Sequence, residues 1–206
     1  MSRIINLILL QFETVFALKK YMGIILAIAI FMVFTQPNML QFVGVLFIMA
    51  TCYNSAFYEE KSKSNYLIHS LPVKSNEYIL SKYIFVGINT IISMMISSII
   101  YMYMTIINKG DLGPLWALML TIAGIGIFMM SILIPLEILL GFEKGRIALV
   151  FLTVFPLVYS TELTKILATI NFNNNIFIAL IMLCIITLIL SSYYITSNLY
   201  AKKDIQ

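Results

Sequence analysis

Apolar residues run through this chain in long blocks, broken by several short polar stretches and one long one. Runs of membrane-span character are predicted at Tyr21–Phe34, Leu40–Phe57, Tyr78–Ile107, Leu115–Leu140, Ile147–Ser160 and Ile176–Ser197. A helix needs about 20 apolar residues to cross the hydrocarbon of a bilayer, with a range of roughly 17–25. The first and fifth runs are short by that measure, so they must borrow flanking residues or lie against protein. The third is long: roughly 30 residues at about 1.5 Å each exceed the hydrocarbon thickness. Its N-terminal end should therefore project beyond the bilayer, with Ser75 as the cap and Glu77 facing the positive end of the helix dipole.

Ahead of the first run, residues 3–20 read RIINLILLQFETVFALKK. Ile4, Leu7, Ile8, Phe12, Val15 and Phe16 recur at helical spacing, while Asn6, Gln11, Glu13, Lys19 and Lys20 interrupt any continuous span. A helix lying along the membrane interface is expected here; the alternative is the start of a long, tilted first span. After the fifth run comes TELTKILATINFNNN, residues 161–175, with Leu163, Ile166, Leu167 and Ile170 on one helical face. A short outer helix or re-entrant segment is expected there. No internal repeat stands out. The expected fold is all-α and integral to the membrane: one domain over 1–206, with six transmembrane helices.

The long polar interruption, FYEEKSKSNYLIHSLPVKSNEYILSK from Phe57 to Lys82, gathers Glu59, Glu60, Lys61, Lys63, His69, Lys74, Glu77 and Lys82. Within it, Asn65–Leu71 has the apolar residues Tyr66, Leu67, Ile68 and Leu71, and Pro72 acts as a stop. A short helix with an apolar face is expected. That face must be covered by the underside of the protein itself or by a partner.

Composition and charge narrow the classes. The chain has 206 residues, 61% hydrophobic and 11% charged, against about 25% charged in ordinary soluble domains. A soluble surface cannot be built from this, and no soluble domain follows the first apolar run, so the N-terminus should be retained. The net charge of +4 is too small and too scattered to suggest nucleic acid. With six spans and an inner N-terminus, the inner side receives Arg3, Lys19, Lys20, Lys61, Lys63, Lys74, Lys82, Lys144, Arg146, Lys202 and Lys203. The outer side receives Lys109 and Lys165. Positive residues stay on the side of synthesis, so both termini and the 58–77 loop are expected in the cytoplasm, in the cell membrane.

Catalytic and metal chemistry find little support. Cys52 and Cys184 sit in separate apolar runs, His69 is the sole histidine, and Asp111 and Asp204 fall outside the spans on opposite sides. Neither a Ser–His pair, a metal cluster nor a paired-Asp site can be composed within the spans. An enzyme and a metal or cofactor bound by this chain are not expected.

The central stretch resembles the segment between the second and third spans of ABC type-2 exporter permeases. Ser70, Leu71 and Pro72 match that family's S-L-P, and Ser81, Lys82 and Tyr83 match its S-K-Y; Asn76 departs, standing where many members have Arg. The residue-level match covers about 25 residues; the layout of interfacial helix, six spans and inner loop runs the whole chain. The resemblance implies a transmembrane subunit whose loop helix, the coupling helix, docks in a cleft of a separate ATP-binding subunit. Glu59, Glu60, Tyr66, Leu67, Ser70, Leu71 and Pro72 would then meet that partner. No G-x-x-x-x-G-K-[ST] motif is present, so ATP and Mg are expected on the partner. The family pairs two permeases with two ATP-binding subunits; a homodimer is favoured, a paralogue being the alternative.

The cargo is bounded by what the spans carry. Glu137 is the intramembrane charge, near the inner end of the fourth run; an ionisable group at a helix centre costs roughly 2.5–3.5 kcal/mol. It is expected to pair with Lys144 or Arg146, or else to serve as a gate. Thirteen methionines offer adaptable apolar surface. Met94, Met95, Met102 and Met129 either pack helices or line a path. Such walls suit apolar or amphipathic cargo, and the small permeases that export phenol-soluble modulins are the preferred comparison; drugs or lipids are the alternatives. A rival reading is the integral substrate-binding subunit of a vitamin-uptake system. Those dock through Ala-x-x-x-Ala patches, whereas Ala27 and Ala29 here are two apart.

Overall fold

The computed structural model describes residues 2–62, 74–107, 112–141, 154, 158–160, 162–167 and 175–203. Among them no strand occurs. The main helices are α1 (Ser2–Ala17), α2 (Lys19–Thr35), α3 (Gln41–Lys61), α4 (Ser75–Ile106), α5 (Leu115–Leu140) and α6 (Asn175–Lys203).

Four of these, α3, α4, α5 and the Leu183–Tyr200 part of α6, are long and apolar enough to cross a membrane. The pair α1 and α2, bent by 71° at Leu18, offers a candidate fifth crossing. The bend falls where the sequence changes from an interrupted apolar stripe to the continuous apolar run of α2. The fifth run expected from sequence, Ile147–Ser160, lies almost wholly outside the described residues, as does the short helix expected at Asn65–Leu71.

Helix α4, at 32 residues, measures about 48 Å, the long third element that the hydropathy predicts. Its start corrects one detail. Lys74 is the extended N-cap residue and Ser75 is already helical; the Glu77 carboxylate accepts the Lys74 backbone N–H at 3.2 Å. The acid thus meets an orphan donor of the first turn as well as the dipole.

Lipid tails are as apolar as the helices, so association has to come from close packing and hydrogen bonds. The α3–α4–α5 core is built that way. A Cβ on Gly44 would lie 2.7 Å from Ile122 Cδ1 and 2.8 Å from Ser93 Oγ, and Ser93 Oγ donates to the Gly44 carbonyl at 2.8 Å. A Cβ on Gly126 would lie 2.4 Å from Thr90 Oγ1. Val43, Ile48, Ile79, Val86 and Met129 fill the remaining space.

Helix α5 is not uniform. Leu115–Phe128 gives way to a π turn at Met129–Leu133 before Ile134–Leu140 resumes. Pro135 lacks an N–H and cannot donate to the Ser131 carbonyl four residues back. Ser192 Oγ of α6 donates to that carbonyl at 2.9 Å, and Tyr83 Oη lies 2.8 Å from the same hydroxyl. The break in one helix thereby becomes the joint with two others.

Candidate functional site

The C-terminal end of α3, the N-terminal part of α4 and the last turns of α5 meet at the end of the bundle where residues 63–73 connect α3 to α4. Three ionisable side chains converge there. Lys82 Nζ lies 2.8 Å from Glu59 Oε2 and makes a second, shorter ion pair with Glu137 Oε1. Lys82 and Glu59 are buried and Glu137 is nearly so: their side chains are 7%, 5% and 10% exposed.

Local sequence places each of them. Cys52, Ser55 and Glu59 follow at i, i+3 and i+7 on one face of α3, and Ser55 Oγ approaches Glu59 Oε1 at 3.5 Å. Tyr78 and Lys82 stand one turn apart on α4, and Tyr78 Oη donates to Glu59 Oε2 at 2.8 Å. Glu137 follows the π turn of α5. A buried ion pair holds together when its geometry is good and its remaining lone pairs are satisfied; here one ammonium and one phenol converge on Glu59.

Helix α1 closes this site from the side. Gln11 Nε2 donates to Ser81 Oγ at 3.2 Å, and the Phe12 and Phe85 rings meet edge to face at 5.0 Å. Between α1, α3, α4 and α5 lies a pocket with room for about one water molecule, lined in part by Gln11, Cys52, Lys82, Met129 and Glu137. On the far side, Ser197 Oγ of α6 donates to Asn76 Oδ1. Asn76, which departs from the resembled family's Arg, is therefore engaged within the chain.

The residues singled out from the sequence are placed as follows. Glu137 pairs with Lys82 across the bundle; Lys144 and Arg146, the partners expected from sequence, lie outside the described residues. Glu59, expected to face a partner protein, is turned inward onto Lys82. Its neighbour Glu60 is half-buried. The four methionines share no one surface: Met129 is fully buried and Met94 packs on the core, while Met95 and Met102 are 60% and 59% exposed. Tyr66, Leu67, Ser70, Leu71 and Pro72 lie outside the described residues.

Lys82 and Gln11 are the residues that sequence reasoning undervalued. Lys82 sits between Ile79, Leu80, Tyr83 and Ile84, and a lysine so flanked calls for an internal anion. Gln11 is likewise a polar residue within an apolar stripe.

The family model described as ABC-2 family transporter protein matches residues 6–201. No curated protein sequence and no solved structure matches the chain. The matched stretch takes in every helix that builds the site, and the chain belongs to the ABC-2 family of transporter proteins, as a multi-pass membrane protein of the ABC-2 permease type.

Proposed function

We propose that this chain is the transmembrane permease subunit of an ATP-driven exporter. It would pair with a second permease, a copy of itself or a paralogue, and couple through residues 58–77 to two ATP-binding subunits. The observation that carries this reading is the family match across residues 6–201. Membership in the ABC-2 family favours the permease over a vitamin-uptake subunit.

Two features of the site support the coupling role. The loop joins α3 to α4, and Glu59, two residues before the end of α3, is tied to Lys82 and through it to Glu137. A push delivered to the Asn65–Leu71 segment would therefore reach three helices together. Glu60 and the apolar residues Tyr66, Leu67 and Leu71 remain the residues assigned to the partner, with Ser70 and Pro72 setting the turn.

The layout also supports six crossings with both termini in the cytoplasm. The chain is at the loop end of the bundle at Gly141. By Thr164, whose Oγ1 lies 3.0 Å from Thr121 Oγ1, it is at the opposite end, a distance that one more crossing supplies. The exposed apolar surface of α4, including Ile91, Met95, Ile99 and Met102, suits lipid, a second permease and amphipathic cargo, for which peptides of the phenol-soluble-modulin kind are the preferred class.

The test is retention. Cells lacking this protein should accumulate amphipathic peptides and become more sensitive to them, and re-expression should reverse both. Unchanged retention and tolerance, with the partner subunits expressed normally, would count against the peptide cargo.

A further inference from the structure

We propose that Lys19 and Lys20, at the elbow between α1 and α2, bind the phosphate of an anionic phospholipid whose acyl chains lie along α2. Both side chains are exposed, and among the described residues neither is paired with a carboxylate. Other lysines are already engaged. Lys82 is buried between two acids, Lys165 Nζ lies 2.9 Å from Glu162 Oε1, and Lys61 stands over the Phe57 ring. The acid nearest to the two lysines along the chain is Glu13, exposed on α1.

The two helices set the depth of that elbow. At about 100° per residue, α1 has three faces. Leu7, Gln11 and Val15 are buried against the protein. Ile5, Leu9 and Phe16 are exposed on one flank, and Arg3, Asn6 and Glu13 on the other. A helix so divided lies in the membrane interface, with its polar flank toward water. Gln11 ties it to Ser81 of α4, at the loop end of the bundle. Helix α2 turns away by 71° and has 17 residues, about 26 Å, against a hydrocarbon core of about 30 Å. As a crossing it is short. Its first residues therefore sit at the hydrocarbon border, and Lys19 and Lys20 extend to the level of the phosphates.

Beyond the lysines, the exposed side of α2 carries Ile24, Ile28 and Phe31 at i, i+4 and i+7. Gly23 beside them has open space where a side chain would stand. This apolar strip begins about one turn from Lys20 and is where the acyl chains lie. The exposed Tyr21 ring stands at the boundary, a position that interfacial aromatics favour. Two adjacent ammonium groups above an apolar strip complement an anionic phosphate ester carrying hydrocarbon tails. A zwitterionic choline lipid would bring a third cation against them, and a free phosphate would leave the strip unused. The site needs no cargo and no ATP-binding subunit, so it stands or falls separately from the transport reading.

The experiment is native mass spectrometry of the full-length protein in detergent, titrated with dioleoylphosphatidylglycerol or with dioleoylphosphatidylcholine. The wild type should bind phosphatidylglycerol at least about tenfold more tightly, since each lysine beside an anionic headgroup contributes roughly fivefold. Lys19→Gln combined with Lys20→Gln should abolish that preference, and Lys19→Arg combined with Lys20→Arg should retain it. Lys165→Gln should leave it unchanged, and millimolar inorganic phosphate should not displace the lipid. Equal binding of the two lipids by the wild type overturns the proposal, as does a preference that survives the paired glutamine substitutions or is lost in the paired arginine ones. Displacement by inorganic phosphate overturns it too, because the elbow would then be a site for free anions.

Discussion

At the scale of single residues, Lys82 decides the most. It holds two buried carboxylates, and removing one member of a buried ion pair typically costs about 3–5 kcal/mol because a charge is left unpaired. Lys82→Met should therefore lower the thermal midpoint of the purified protein well below that of Glu59→Gln, which leaves the Lys82–Glu137 pair intact. Equal midpoints for Lys82→Met and wild type would show that the cluster adds nothing to stability. Gly126 is a second such point. Its missing side chain makes room for Thr90, and overpacking costs about 1–3 kcal/mol. Gly126→Ala should destabilise, and Thr90→Ala should recover part of the loss in the double mutant, a coupling that a two-mutation cycle measures. None of this was legible in the sequence beyond the presence of a lysine and a glycine inside apolar runs. Glu137 shows why. Its nearest cations along the chain are Lys144 and Arg146, but antiparallel helices bring together residues 55 positions apart, and periodicity carries no information about that.

At the scale of helices, the sequence was far more legible. The run at Leu115–Leu140 became α5 with the same bounds, and the run at Leu40–Phe57 became α3, which continues one turn further to Lys61, because a run of apolar side chains with few breakers leaves the chain no polar alternative in lipid. The break at Leu18 coincides with the change of pattern between residues 3–20 and the apolar run after them. The π turn was hidden: Pro135 announces a disturbance, but its position relative to Ser192 is a tertiary fact. That joint is testable. Ser192→Ala leaves the Ser131 carbonyl without its side-chain donor and should cost about 1–3 kcal/mol. Pro135→Ala restores a backbone N–H at that point, so Ser192→Ala should cost less in the Pro135→Ala background. Identical costs in both backgrounds would mean that Ser192 does not compensate for the proline.

For the whole molecule, the family and the membrane class follow from properties spread along the entire chain, which is why they could be read early. The polar segment between α3 and α4 could be read as a motif, yet its buried flank at Glu59 could not, since Glu59 and Glu60 look alike until α3 is packed. The proposed orientation rests on the lysine and arginine distribution and has its own check. In a background lacking Cys52 and Cys184, single cysteines replacing Lys63 and Asp204 should be protected from impermeant reagents in intact cells. Those replacing Gly110 and Asn173 should be labelled. External labelling at position 63 would overturn the six-crossing arrangement.

The central claim is that an ATP-binding protein works through the segment between α3 and α4. The most direct measurement is co-purification of this chain with a candidate ATP-binding subunit, together with cargo-stimulated ATP hydrolysis, for wild type and for Leu67→Asp. Burial of one leucine side chain is worth about 1.5–3 kcal/mol, and about 1.4 kcal/mol is tenfold in affinity. The account predicts a stable, stimulated complex for wild type and at least about tenfold weaker assembly for a Leu67→Asp protein that inserts normally. A Leu67→Asp protein that assembles and stimulates hydrolysis like wild type would contradict it.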